Sequence, residues 1–206
     1  VSWLPVSSPA FDKDAKPYPF DPEKAKALLA EAGYADNLSF SVTAQPNESW
    51  GIPIVEAIIP MLARVGVTVT TDPVDGSVMS DKLLSDDFQA YIWSNSSGPD
   101  PLHYLRCFHS KTPQSACNYV KYSNPEFDAL LDQAGNEPDH DKQLAMLKQA
   151  NNMLQEEAPI WFFNYNKAVM GVQPWVHGLK PNSVELAIQD YQDVWIDDTA
   201  PATRKQ

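Results

Sequence analysis

The chain has 206 residues, 43% hydrophobic and 11% aromatic with six tryptophans, enough to bury a core and too apolar for a disordered chain. Its 15 basic and 27 acidic residues give a formal net charge of −12, and no basic stripe occurs, so nucleic acid and anionic membranes are poor partners. No run reaches the roughly 18 apolar residues of a membrane-spanning helix, and the opening VSWLPVSSPAFDKD has neither the basic nor the apolar region of a signal peptide.

The first residues carry Pro5, Pro9, Pro17 and Pro19 with little periodicity and read as an extended lead-in. DPEKAKALLAEAGY follows, with Asp21 as N-cap, Pro22 at the first helical position and Gly33 as the left-handed stop. Leu38, Phe40 and Val42 alternate with polar residues and predict a strand over 38–44. After the loop QPNES, residues 50–65 have helical periodicity, with Pro60 set to free the carbonyl of Glu56, and Val67-Thr68-Val69-Thr70 is a β-branched strand. Strand, helix and strand make a βαβ unit, which implies parallel pairing.

A short helix is expected over 77–85 and a strand over 88–93; PLHYLRCF suits a helical turn or two. Asn124-Pro125-Glu126 opens a helix that Gly135 should end, and Asp139 caps a longer one stopped before Pro159. Residues 160–163 read as a short buried strand, with 168–172 pairing beside it, and no clear element is visible from Gly178 onward.

Ligands of open α/β sheets bind beyond the carboxyl ends of strands. Three strand exits here are polar and aromatic: Gln45, Asn47, Ser49 and Trp50; then Trp93, Ser94, Asn95, Ser96 and on to Asp100; then Asn164, Tyr165 and Asn166. Amides and hydroxyls beside indole and phenol rings suit a small polar ligand with some apolar surface, although turns are made of the same small polar residues. Trp93 is the expected stacking wall, Asn95 and Ser96 the expected hydrogen-bonding groups, with Asn47, Trp50 and Tyr165 in support.

No nucleophile elbow, Walker loop, dinucleotide fingerprint or H-E-x-x-H occurs, and the adjacent Asp86 and Asp87 would face opposite ways on a strand, so no catalytic residue is assigned. His103, Cys107, His109 and Cys117 could in principle hold a tetrahedral zinc. Their spacing matches no common zinc module and has no C-x-x-C pair, so a short local disulfide beside two surface histidines is preferred to a metal site. No cofactor is implied.

PYPFDPEKAKALLAEAGY, MLARVGVTVT, DFQAYIWSNSSGPDP, YSNPEFDALLDQA and LKQANNMLQEEAPIWFF resemble, in order, segments of the family 5 extracellular solute-binding proteins of peptide, nickel and opine type. These are the binding subunits of ABC importers. The resemblance covers roughly residues 17–177. It implies the C-terminal part of a two-lobed periplasmic protein: a type II periplasmic-binding-protein-like α/β lobe with a mixed sheet flanked by helices. Residues 1–16 would then lie at the hinge, 17–177 would form the ligand-cleft lobe, and 178–206 would return to the other lobe, leaving apolar groups exposed at the ends.

It further implies a Cys107–Cys117 disulfide, a peptide or other small-molecule ligand, ABC permease subunits in the inner membrane as partners, and a monomeric parent whose signal peptide lies upstream. A secreted hydrolase or a chaperone-like peptide-binding domain is the alternative. One departure bears on the ligand. Peptide-binding members place an aspartate three residues after the strand tryptophan, to meet the peptide's α-ammonium, whereas the third residue after Trp93 is Ser96. Asp100 aligns instead with the family's acidic-Pro pair, which shapes the turn and caps the next helix.

Overall fold

The computed structural model describes residues 2–16, 18–35, 37–95, 100–114, 116–165, 169–180 and 191–201. They fall into two compact units. A sheet unit comprises Ala15–Asn95 and Ser110–Ser123, and a helical unit comprises Val1–Asp14, Ser96–His109 and Asn124–Gln206.

In the sheet unit, α1 (Pro22–Glu31) begins as predicted, with the Asp21 carboxylate accepting from the Lys24 amide at 2.9 Å. Gly33 takes φ +86°, which spares a side chain the left-handed strain at the helix end. Strand β1 (Leu38–Ala44) pairs in parallel with β2 (Val67–Pro73) and with β3 (Ala90–Tyr91), giving the order β2-β1-β3. Helices α2 (Ile52–Ala63) and α3 (Gly76–Ser85) supply the crossovers that parallel pairing requires. Helix α2 continues through Pro60 to Ala63.

One face of the sheet buries Val42, Ala44, Val67 and Val69 against Val55 of α2, with Ala25 and Leu29 of α1 packed on the same cluster. Burying each such aliphatic side chain contributes roughly 1.5–3 kcal/mol. The opposite face is polar but satisfied: buried Thr43 donates to Asp72 Oδ2 at 2.9 Å, and Lys82 of α3 reaches the same oxygen at 3.2 Å. Strand β3 is shorter than the expected 88–93. Its ladder gains only the Ile92 amide donating to the Thr43 carbonyl at 3.1 Å, because Trp93 has already left the sheet.

The helical unit is built on α4 (Pro101–Leu105), a 3₁₀ turn over Arg106–Phe108, α5 (Pro125–Asn136) and α6 (His140–Glu157). Phe127, Leu131 and Ala134 of α5 and Leu147, Ala150 and Leu154 of α6 are fully buried, at the helical spacing expected of a shared core. Asn124 and Asp139 cap these helices as the sequence predicts. Gly135 does not end α5, which runs on to Asn136. A Cβ at Gly135 would lie 2.6 Å from Arg106 Nη2, so the glycine makes room for a guanidinium.

Two further expectations give way to the structure. Residues 160–163 form no strand, and nothing pairs with them among the described residues. The chain after Gly178 is not featureless, since β4 (Val176–His177) pairs antiparallel with β5 (Trp195–Ile196). The α/β class itself is as expected, with a parallel three-stranded sheet flanked by helices and this separate ribbon among the described residues.

The lead-in, finally, is anchored at its start. Leu4 is only 2% exposed, its amide donates to Asn151 Oδ1 at 3.1 Å, and Asn151 Nδ2 donates to Ser2 Oγ at 3.0 Å. The Trp3 indole donates to the Tyr104 carbonyl at 2.9 Å. Further along, Val6, Tyr18 and Phe20 are exposed, as are Tyr191, Trp195 and Ile196 near the other end.

Candidate functional site

Beyond the end of β1 the chain makes a small closed loop. The Ile52 amide donates to the Gln45 carbonyl at 3.3 Å, and the Gly51 amide donates to the Glu48 carbonyl at 2.9 Å. At this neck a Cβ on residue 51 would sit 2.0 Å from the Gln45 carbonyl oxygen, so only glycine fits. The loop carries Asn47, which is exposed, and Trp50, which is half-buried.

Trp93 emerges beyond the neighbouring strand, β3. Its ring meets Trp50 at 6.2 Å between centroids and 65° between planes, an edge-on pairing. Tyr91, two residues earlier, turns elsewhere: it packs edge-on to Phe88 at 5.1 Å and to Tyr119 at 6.3 Å. Burial pushes the Tyr91 phenol up to about 12, so it stays protonated as a packing group.

The exposed side chains of Asn47, Ser94 and Asn95 make no hydrogen bond to any described residue. Two strand exits therefore bring Trp50 and Trp93 together, with Asn47 on the same loop as Trp50 and with Ser94 and Asn95 next after Trp93 in the chain. Ser96 lies outside the described residues.

Asp100 and Tyr165 belong to the helical unit and already have partners there. The Asp100 carboxylate accepts from the Leu102 amide at 2.9 Å and so caps α4, the role its pairing with Pro101 suggested. The Tyr165 hydroxyl donates to the carbonyls of Ser2, at 2.8 Å, and Trp3, and burial raises its pKa. Asn151 was not foreseen as a structural residue. Its signal was present, since a single amide occurs among the buried positions Leu147, Ala150 and Leu154.

Cys107 and Cys117 are joined in a disulfide, with no free thiol. His109 is buried between two carboxylates one turn apart on α5, with Nδ1 3.5 Å from Asp128 and Nε2 3.4 Å from Asp132. His103 stands edge-on to Tyr104 at 5.6 Å. The four residues that could have shared a zinc are thus engaged in other interactions. Two shallow depressions, one lined by Asp132 and Met146 and the other by Lys148 and Met153, include no predicted site residue.

Residues 1–116 match the family model described as bacterial extracellular solute-binding proteins, family 5 Middle. Heme-binding protein A of Haemophilus influenzae is 29% identical over 162 residues, covering 76% of this chain and 29% of the relative. The dipeptide-binding protein of Pseudomonas aeruginosa is 25% identical over 186 residues, covering 87% of this chain and 35% of the relative. Among solved structures, a dipeptide binding protein from a Pseudoalteromonas species, in complex with Met-Leu, aligns over 95% of this chain and 39% of its own. Its TM-score is 0.75 at 24% identity, which shows a shared fold of the periplasmic-binding type II kind. The chain spans about a third of the length of the curated relatives it matches.

Proposed function

Starting from the fact that this chain belongs to the bacterial extracellular solute-binding proteins of family 5, we propose that it is part of an ABC importer's substrate-binding subunit. It captures a small solute outside the cytoplasmic membrane and passes it to the permease subunits in that membrane. Binding is noncovalent and assigns no residue a catalytic role. The observation that carries this reading is the pair of strand exits at β1 and β3. They bring two tryptophan rings together at 6.2 Å, and the same two segments carry amides and a hydroxyl that bond no described residue.

In this reading the parent protein is periplasmic and monomeric, and a second lobe closes over the ligand about an ordinary hinge. Residues 1–16 run through that hinge, 17–177 supply the cleft, and 178–206 return to the other lobe. The exposed Tyr191, Trp195 and Ile196 support such a covered end. Trp93 is the stacking wall, with Trp50 beside it, and Asn47, Ser94, Asn95 and Ser96 hydrogen-bond the solute. Asp100 and Tyr165 contribute chiefly by holding their own segments in place.

Titration calorimetry tests the proposal with dipeptides, opines, sugars and metal chelates. It is run on this chain and on a family-length protein that contains it. The longer protein should bind one class tightly and gain roughly 2.7 kcal/mol of stability at about 100 times the dissociation constant. The chain alone should bind the same ligand at least about 100-fold more weakly, since it lacks the closing lobe. Submicromolar binding by the isolated chain, or no ligand for the longer protein, refutes the proposal.

A further inference from the structure

The Trp50–Trp93 corner combines two properties that restrict what it can hold. The first is shape. Two indole rings at 65° form an L, in which a third flat ring can lie against one face while its edge meets the other. Trp50 cannot easily drift from this arrangement, because the Gly51–Gln45 neck leaves no room for a side chain at residue 51 and ties the loop to the start of α2.

The second property is charge. The aspartates whose contacts are defined in the sheet unit are engaged elsewhere. Asp72 holds Thr43 and Lys82, Asp75 caps α3, Asp86 binds Lys121 and Gln114, and Asp87 binds Lys82. Across residues 45–51 and 92–95 the single ionisable side chain is Glu48. The second exit ends in one more carboxylate, Asp100, which accepts from the Leu102 amide at 2.9 Å and caps α4. The remaining polar side chains of the two exits are indoles, amides and hydroxyls.

Building on the importer reading, we infer that this corner is the specificity determinant and selects a flat, uncharged ring, aromatic or heteroaromatic, rather than a free ammonium. The ring's face stacks on indole, and hydrogen-bonding atoms at its edge are met by Asn47, Ser94 and Asn95. A primary ammonium gains little here. Attraction to an indole face is modest while the cation stays hydrated, and these loops offer two carboxylates, Glu48 and the Asp100 that already caps α4.

The test uses the chain labelled with ¹⁵N, following the indole N–H signals of Trp50 and Trp93, assigned with W50F and W93F. Three probes are titrated: N-acetylphenylalaninamide, which has a ring and no charge; N-acetylleucinamide, which has neither; and zwitterionic alanylalanine. The ring probe should shift both indole signals and bind about two- to tenfold more tightly than the leucine probe, the factor an aromatic contact adds beyond area. Alanylalanine should leave both signals in place, and W50L should erase the preference for the ring.

Equal response to ring and leucine probes, silence of both indoles with every probe, or an alanylalanine response that E48Q abolishes would each overturn the inference. A family-length protein that binds zwitterionic peptides would sink this inference and leave the importer reading standing. One that binds no solute would sink the importer reading as well.

Discussion

Asn151 in the helical unit and Asn47 in the sheet unit carry the same amide under opposite conditions. Asn151 is 1% exposed, and both ends of its amide are bonded, the oxygen to the Leu4 amide and the nitrogen to Ser2. Asn47 is exposed and bonds no described residue. A buried amide must be satisfied by the fold or it destabilises the fold. An exposed one is satisfied by solvent and stays available to a ligand, the role proposed for Asn47. The contrast extends to the aromatics, since Trp3 is bonded and packed within its unit while the exposed Trp93 pairs edge-on with the half-buried Trp50. Structure and function thus draw on the same residue types, separated by whether their polar atoms are already partnered.

Substitutions can break this contrast, beginning with the largest effect. Asn151→Ala strands the Leu4 amide and leaves a small void, and should cost about 3 kcal/mol in urea unfolding. Loss of under about 0.5 kcal/mol would mean that the lead-in is not fastened there. Gly51→Ala should cost about 2 kcal/mol, because its Cβ must push back a main-chain carbonyl. It should also move the Trp50 indole signal, which the Asn151 variant should leave in place.

A graded effect comes from acid. Lys148 and Asn152 hold the Asp12 carboxyl down at about 2, from an ordinary 3.8. A carboxylate with a lowered folded pKa contributes its stability in full above the ordinary range and loses it as pH falls through about 2. Asp12→Asn should therefore flatten the acid limb of a stability curve between pH 4 and 2 and leave neutral pH behaviour nearly parallel. Smallest of all, Asn47→Ala and Asn95→Ala should stay within about 0.5 kcal/mol of the parent in stability. Any ligand found by titration should nonetheless bind them more weakly. A large destabilisation by either would place these amides with Asn151 instead.

Local chemistry made much of this molecule legible from sequence. The caps at Asp21, Asn124 and Asp139, the stop at Gly33 and the βαβ pairing of β1 with β2 depend on residues within a turn or on strong periodicity. What misled was dependence on distant partners. Residues 160–163 have the composition of a strand but pair with nothing among the described residues, while Val176–His177 and Trp195–Ile196 form a ribbon because each segment supplies the other's edge. Gly135 reads as a helix stop until Arg106 is seen against it.

The candidate site was legible in part. The two tryptophans that meet were visible at the strand exits, and Asp100 was recognisable as a cap. That Tyr165 holds down the lead-in depends on Ser2 and Trp3, more than 160 residues away in sequence.

The neck between Gln45 and Gly51 has a consequence for how such a protein can change. Because the main chain closes on itself there, β1 ends and α2 begins at fixed points whatever residues 46–50 are. Those five positions behave as an exchangeable cassette: sequence or length can be altered between the two anchors at little cost to the sheet, since lengthening a closed loop adds only slowly to its entropy. On the proposed reading, a new solute would be accommodated by rewriting one short segment, with the parallel sheet beneath it left untouched.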